Sequence, residues 1–361
     1  MKNVGIVGMP NAGKSTIFNI LTGQSVPMES YPFCTVDPNT GFLVVEDERV
    51  VELAGMEGSK KVVHPFIEVV DIAGLVKGAS KGEGLGNRFL DHISKVDLIV
   101  HVVRCFFKET VSHPMGSIDP ARDAEIVDIE LIMKDLETIE KRMEKREKVA
   151  RAGDEKAREE METLARLKKH LSEGNKARTF ERRNDFEEEI IRSLFLLTDK
   201  PVVYVLNVDE RCKENLWKPL EERAKGEGNI LLKVNAGVEY DLLGMPKEEA
   251  EEFRKVYGIE EDFRKIFFES VLKGLNLIRF LTATEKEARS WVVEDGITAY
   301  EAAGIIHSDI QKGFIKAEVI QFSELKKIGS MKKARELGVL EIHGKDYLIK
   351  EGDVVHFLFH S

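Results

Sequence analysis

The chain has 361 residues, of which 42% are hydrophobic and 33% charged, with a formal net charge of −10 at pH 7. Such a composition excludes a disordered or fibrous chain and allows two or three domains with ample core. The acidic balance argues against bulk attraction to nucleic acid, and no DNA partner is expected.

The N-terminal run Val4-Gly5-Ile6-Val7 reads as a short buried strand with no leader pattern before it. No apolar stretch approaches the roughly 20 residues that cross a bilayer. The expectation is a cytoplasmic protein without membrane contact. Cys34, Cys105 and Cys212 are too few and too scattered for a disulfide framework or a zinc site, so reduced thiols are expected.

Directly after the first strand comes Gly8-Met9-Pro10-Asn11-Ala12-Gly13-Lys14-Ser15, which satisfies G-x-x-x-x-G-K-[ST]. The glycines let backbone N–H groups turn inward onto phosphate oxygens, and the helix expected over Ser15–Leu21 adds its N-terminal partial charge. Asn11, Ala12, Gly13, Lys14, Ser15 and Thr16 are the predicted phosphate-binding residues. Lys14 is assigned to the β/γ-phosphates and Ser15 to Mg²⁺. This is the signature of a nucleoside-triphosphate hydrolase of the GTPase type.

Thr35 follows in a loop and is the candidate for the metal and the γ-phosphate, ordering a switch. The strand Phe66–Val70 leads into Asp71-Ile72-Ala73-Gly74. Asp71 is the expected Walker-B acid, and the Gly74 backbone N–H is expected to approach the γ-phosphate. The catalytic assignments are Lys14, Thr35 and Gly74, and the metal assignments Ser15, Thr35 and Asp71. The Gly-rich run from Gly82 to Gly86 reads as switch flexibility. Another β-branched strand is expected over Leu98–Val103, with His101 as a core histidine. Strands alternating with helices imply a mostly parallel α/β sheet.

Residues 121–198 change character. Apolar positions at Ile129, Ile132, Met133, Leu136, Ile139 and Met143, then Ala157, Met161, Leu164, Leu167 and Leu171, recur every three or four residues around a break at Ala152-Gly153-Asp154. An inserted antiparallel helical hairpin, coiled-coil-like, is expected. Between Lys141 and Arg183 it holds 15 Lys/Arg and 9 Asp/Glu, a local excess of +6. Such a face is either simply solvated or an RNA-contacting arm, with Lys168, Lys169, Arg178, Arg182 and Arg183 meeting phosphates. Strands return at 201–207 and 230–234. After residue 278, strands near 291–293, 314–320, 339–342 and 354–359 bracket short helices, indicating a small α+β module. The expected domains are 1–120 with 199–278, the insertion 121–198, and 279–361.

GMPNAGKST (8–16), YPFCTVDPN (31–39), DIAGLVKGASKGEGLGNRFL (71–90), HVVRCF (101–106), NVDE (207–210) and AAGIIHSDIQKGFIKAEVI (302–320) together resemble the Obg-like ATPase family, the YchF type, over nearly the whole chain. The resemblance implies a P-loop NTPase fold with a C-terminal, β-grasp-like TGS domain. It also implies a ribosome or ribosomal RNA partner and the acceptance of ATP. GTPases carry N-K-x-D where this chain has Asn207-Val208-Asp209-Glu210. Asn207, Val208, Glu210 and the backbone of Ala236 are the expected base contacts. Asn207 is a candidate for the adenine edge, and a register placing Asp209 against guanine stays open. Leu75 stands where other GTPases have a water-orienting Gln. Slow turnover or outside help follows, and K⁺ bound near Asn11 is a candidate for that help beside Mg²⁺. Cys34, beside Thr35, is either a plain free thiol or an oxidation sensor. The alternatives kept are a GTPase of the same type and a nucleotide-gated binding module with incidental turnover.

Overall fold

The computed structural model describes residues 2–23, 39–72, 93–256, 259 and 261–360. Thr35, Gly74, Cys34, Leu75 and the 82–87 run lie outside the described residues. The described residues form two compact units, one within 2–23, 39–41 and 68–270 and the other within 42–67 and 271–360.

The first unit is built on a sheet whose six described strands are ordered β2-β4-β1-β5-β6-β7. They are β1 (Asn3–Val7), β2 (Thr40–Val44), β4 (Phe66–Asp71), β5 (Leu98–Cys105), β6 (Val202–Val208) and β7 (Ile230–Val234). β1 runs parallel to β4 and β5, and β5–β6 and β6–β7 are parallel too. All eight residues of β5 are buried, which is why that strand reads as a continuous apolar run rather than an alternating one. Helix α1 (Lys14–Thr22) follows β1 and buries Ile17, Ile20 and Leu21. Parallel pairing leaves the C-terminal ends of β1, β4, β6 and β7 on one edge, where α/β sheets bind ligands.

The insertion is a helical hairpin, as its periodicity predicts. The helix that we call α3 (Pro120–Arg151) starts with Asp119 accepting from Arg122 N and Pro at its first turn. Gly153, at φ 102°, makes the turn. Asp154 then caps α4 (Glu155–Ser172), accepting from Ala157 N. Two expectations change. Ile129 and Met133 are 47% and 41% exposed, so only part of the α3 stripe is a seam. Nor is the pairing a free two-helix coil. Ile132, Ile139, Leu164, Leu167 and Leu171 pack with Phe180 and with Ile190, Ile191 and Leu194 of α5 (Asp185–Leu194). At its root, Ala124, Val127 and Leu131 join the sheet core with Val7, Val103 and Tyr204.

The second unit does not follow the boundaries expected from the sequence. Its mixed sheet has six described strands ordered β11-β10-β12-β8-β9-β3. These are β3 (Val62–Val63), β8 (Leu277–Ala283), β9 (Ala288–Glu294), β10 (Phe314–Gln321), β11 (Glu341–His343) and β12 (Asp353–Phe359). A boundary at 278/279 would cut β8. β3 pairs with β9, and α2 (Glu48–Glu57) buries Val50, Leu53 and Ala54 against Leu281, Ile320, Phe322 and Leu325. Asp47 accepts from Arg49, whose guanidinium also reaches Glu351, and from Ser290. Residues 47–63, assigned from sequence order to the nucleotide domain, therefore pack with elements of 277–359.

Candidate nucleotide site

The phosphate loop has the backbone its glycines require. Gly8 has φ 151°, and a Cβ there would sit 2.2 Å from the Val102 carbonyl oxygen. Gly13, at φ 97°, caps α1, and its Cβ would fall 2.5 Å from Asn207 Nδ2. Asn11 takes a left-handed φ of 64° that asparagine tolerates better than most residues. Lys14 Nζ folds back over the loop, donating to the carbonyls of Gly8 at 3.2 Å and Met9 at 3.0 Å. Burial pulls its ammonium below the usual lysine range, and the Asp71 charge opposes that. Burial pushes the Asp71 carboxyl up, while Lys14 and a hydrogen bond from Ser15 hold it back.

Ser15 Oγ donates to Asp71 Oδ2 at 3.4 Å. The two predicted metal ligands thus meet across 56 positions of sequence. Among the described residues no group of three or more His, Cys, Asp or Glu could hold a metal ion. One hydroxyl and one carboxylate suit a hard ion that takes its remaining oxygens from phosphate and water. Those residues fit Mg²⁺ in that form.

Asn207 has a role within the protein that the sequence did not announce. Its Nδ2 donates to the Ala12 carbonyl at 3.2 Å, and its Oδ1 accepts from Ala236 N at 3.2 Å. The side chain is buried and staples the phosphate loop to the loop after β7. One N–H and one lone pair of the amide remain beyond these two bonds, whereas the single Ala236 N–H is engaged with protein. Asn235 caps the helix Ala236–Leu242 by accepting from Val238 N.

Asp209 is also occupied. It accepts from Phe107 N at 2.8 Å and from the Arg211 backbone and guanidinium. That disfavours the register in which Asp209 reads guanine. Val208 packs half-buried at the edge of the core, and Glu210 is exposed with no hydrogen bond or ion pair among the described residues.

Other expectations divide. His101 is a core residue, stacked near Tyr204 at 5.3 Å between centroids. Burial and the cations Arg223 and Lys176 hold its ring well below the usual imidazole range. Cys105 and Cys212, expected as reduced thiols, are joined in a disulfide with Cα atoms 5.5 Å apart. Sequence spacing hid this because β5 and the loop after β6 meet only through sheet pairing, Cys105 lying opposite Val208. Three of the five cations assigned to RNA are engaged within the protein. Lys168 pairs with Glu140, Arg182 with Glu188 and Asp199, and Arg178 donates to Asn229.

Sequence reasoning missed Arg104. Its signal was a lone arginine in the apolar run His101-Val102-Val103-Arg104-Cys105. It is 4% exposed and donates to three backbone carbonyls beside the phosphate loop.

Comparison with known proteins bears on this site. A family profile described as 50S ribosome-binding GTPase matches residues 3–208, and a YchF-GTPase C-terminal profile, described as a protein of unknown function, matches 277–360. The chain is 42% identical to the ribosome-binding ATPase YchF of Bacillus subtilis, with 98% of each covered. It is 40% identical to Obg-like ATPase 1 of Caenorhabditis elegans, covering 99% of this chain and 92% of that one. The solved structure of the Schizosaccharomyces pombe YchF GTPase superposes with a TM-score of 0.86 at 35% identity, over 99% of this chain and 97% of the other.

Proposed function

The chain belongs to the YchF and Obg-like ATPase family, and on that premise we propose that it is a Mg²⁺-dependent P-loop hydrolase that converts ATP to ADP and phosphate in association with the ribosome. The observation that carries the reading is the meeting of Ser15, Asp71 and Lys14 at the mouth of a loop closed by Asn207.

Lys14 would exchange the Gly8 and Met9 carbonyls for the β/γ-phosphates, and its partial desolvation strengthens that contact. Ser15 and Asp71 would hold Mg²⁺, which supplies neutralisation of charge on the transferring phosphoryl group. Thr35 is assigned to the same metal, and the Gly74 N–H to the γ-phosphate, by their place in the motif order. Leu75 has no group that orients water, so turnover is expected to be slow unaided. K⁺ held near Asn11 is the proposed help. Replacing K⁺ with Na⁺ should slow hydrolysis, and an unchanged rate would remove K⁺ from the scheme.

Adenine is favoured because Val208 replaces the usual Lys and Glu210 the usual Asp. Competing titrations of nucleotide-free protein with Mg·ATP and Mg·GTP test this. ATP should bind at least as tightly as GTP. Strong preference for GTP would return the protein to the ordinary GTPases.

The relatives' name supports a ribosomal partner. On the hairpin, Lys141, Lys145 and Lys148 are exposed and in no ion pair among the described residues. They replace the internally paired Lys168, Arg178 and Arg182 as the cations proposed to meet RNA.

A further inference from the structure

Arg104 lies within a strand that is buried throughout. A guanidinium has five N–H donors and no acceptor, and burying it without partners is costly. Arg104 directs its donors to the segment that follows its own strand. Nε donates to the Phe106 carbonyl at 3.1 Å, Nη2 to Val111 at 2.9 Å and Nη1 to Ser112 at 3.2 Å. The guanidinium also lies 4.4 Å from the centre of the Phe106 ring. Three carbonyl dipoles and a ring face therefore engage the buried cation, and the 106–112 backbone is folded around it.

That segment touches the site at both ends. The Ser112 carbonyl that receives Arg104 also receives Asn11 Nδ2, from the phosphate loop, at 3.1 Å. At the other end Phe107 N donates to Asp209, in the loop that carries Val208 and Glu210. The Arg211 guanidinium, paired with Asp209, lies 5.5 Å from the Phe107 ring centre. The 106–112 segment is thus a strap from the phosphate end of the site to the base end, with Arg104 beneath it.

We propose that Arg104 is a positioning residue for nucleotide binding. By fixing the carbonyls of Phe106, Val111 and Ser112, it sets the Asn11 side chain and the spacing between the phosphate loop and the base loop. The inference rests on reading this site as a nucleotide site. A ligand that spans both loops depends on their spacing, whereas one that occupies only the phosphate loop does not.

The test displaces a fluorescent ATP analogue from the full-length protein in Mg²⁺ buffer, using ATP and inorganic tripolyphosphate as competitors. Arg104→Gln should weaken ATP by roughly tenfold and tripolyphosphate by less than about threefold, the loss expected when charged hydrogen bonds go from a support rather than from the phosphate contacts. Arg104→Lys, which keeps the buried charge and a shorter set of donors, should fall between Arg104→Gln and the parent protein. It also provides the comparison should Arg104→Gln not fold. Equal weakening of both ligands would assign Arg104 a general structural role and overturn the proposal. So would ATP binding unchanged by either substitution. A parent protein that binds neither ligand would instead overturn the nucleotide site itself, and the proposal with it.

Discussion

At the scale of single residues, Asn207 and Glu210 sit three positions apart and do different work. Asn207 bonds protein through both amide atoms and so helps to set the spacing of the loops. Asn207→Asp keeps the acceptor for Ala236 N but turns an oxygen toward the Ala12 carbonyl. It should cost about 1–3 kcal/mol in stability, the range for a spoiled buried hydrogen bond. A role confined to loop spacing predicts that ATP and GTP weaken by the same factor, and unequal factors would return Asn207 to base contact. Glu210 is exposed and unpartnered among the described residues. Glu210→Ala should leave the unfolding free energy within about 0.5 kcal/mol, as at most surface positions. It should nevertheless change the ATP-to-GTP affinity ratio. Chemical denaturation together with the two nucleotide titrations measures all four quantities, and a ratio unmoved by Glu210→Ala would remove it from base recognition.

At the scale of elements, the hairpin is attached to the sheet through a buried acid. Asp135, in α3 and 1% exposed, accepts from Leu197 N, Thr198 N and Thr198 Oγ1 just before β6 begins. Burial pushes its carboxyl up to about 6, against those three hydrogen bonds. The folded state then holds the proton more firmly than the unfolded chain does. Its contribution to stability is fully present below the ordinary carboxylate range and is lost as pH rises through about 6, with no further change above. Asp135→Asn removes the titration. The stability of the parent protein minus that of the variant should therefore fall between about pH 4 and 7 and then level off. A difference flat across that range would show that Asp135 titrates alike in both states. Asp135→Ala leaves three donors without an acceptor and should be the more damaging change at every pH.

The charged face of the hairpin also shows what local reading misses. The local excess of basic residues is a property of the sequence, but pairing decides which of them face a partner. Glu160 alone engages Arg142 and Arg146. Lys176 is buried against Asp128 and Glu227. The exposed stripe is instead Lys141, Lys145 and Lys148, three and four residues apart on α3.

At the scale of the whole molecule, that stripe bears on the ribosome proposal. Neutralising Lys141, Lys145 and Lys148 to Gln should reduce the slope of log affinity for ribosomes against log salt by roughly 2, the counterions released by about three phosphate contacts. Neutralising Lys168, Arg178 and Arg182 should instead lower stability, since each is engaged within the fold. A salt slope unchanged by the first set would place the ribosomal contact elsewhere.

Much of the nucleotide site was legible because its chemistry is local. Eight consecutive residues determine a loop whose glycines must take positive φ and whose lysine must reach back over it. Strands announced themselves through runs of β-branched residues, and the hairpin through its three-and-four spacing and Gly153. Apart from the meeting of Ser15 with Asp71, which the motif order implied, the sequence did not reveal the relations between distant segments. The disulfide from Cys105 to Cys212 and the staple of Asn207 between Ala12 and Ala236 arise only when parallel pairing brings β1, β5, β6 and β7 side by side. The packing of residues 47–63 with the C-terminal sheet was hidden for a similar reason, because an amphipathic helix records that one face is buried but not against which partner. Motif and period determined which segments fold and where phosphate is proposed to bind. Tertiary packing decided which polar groups are already spent on the protein and which remain for a ligand.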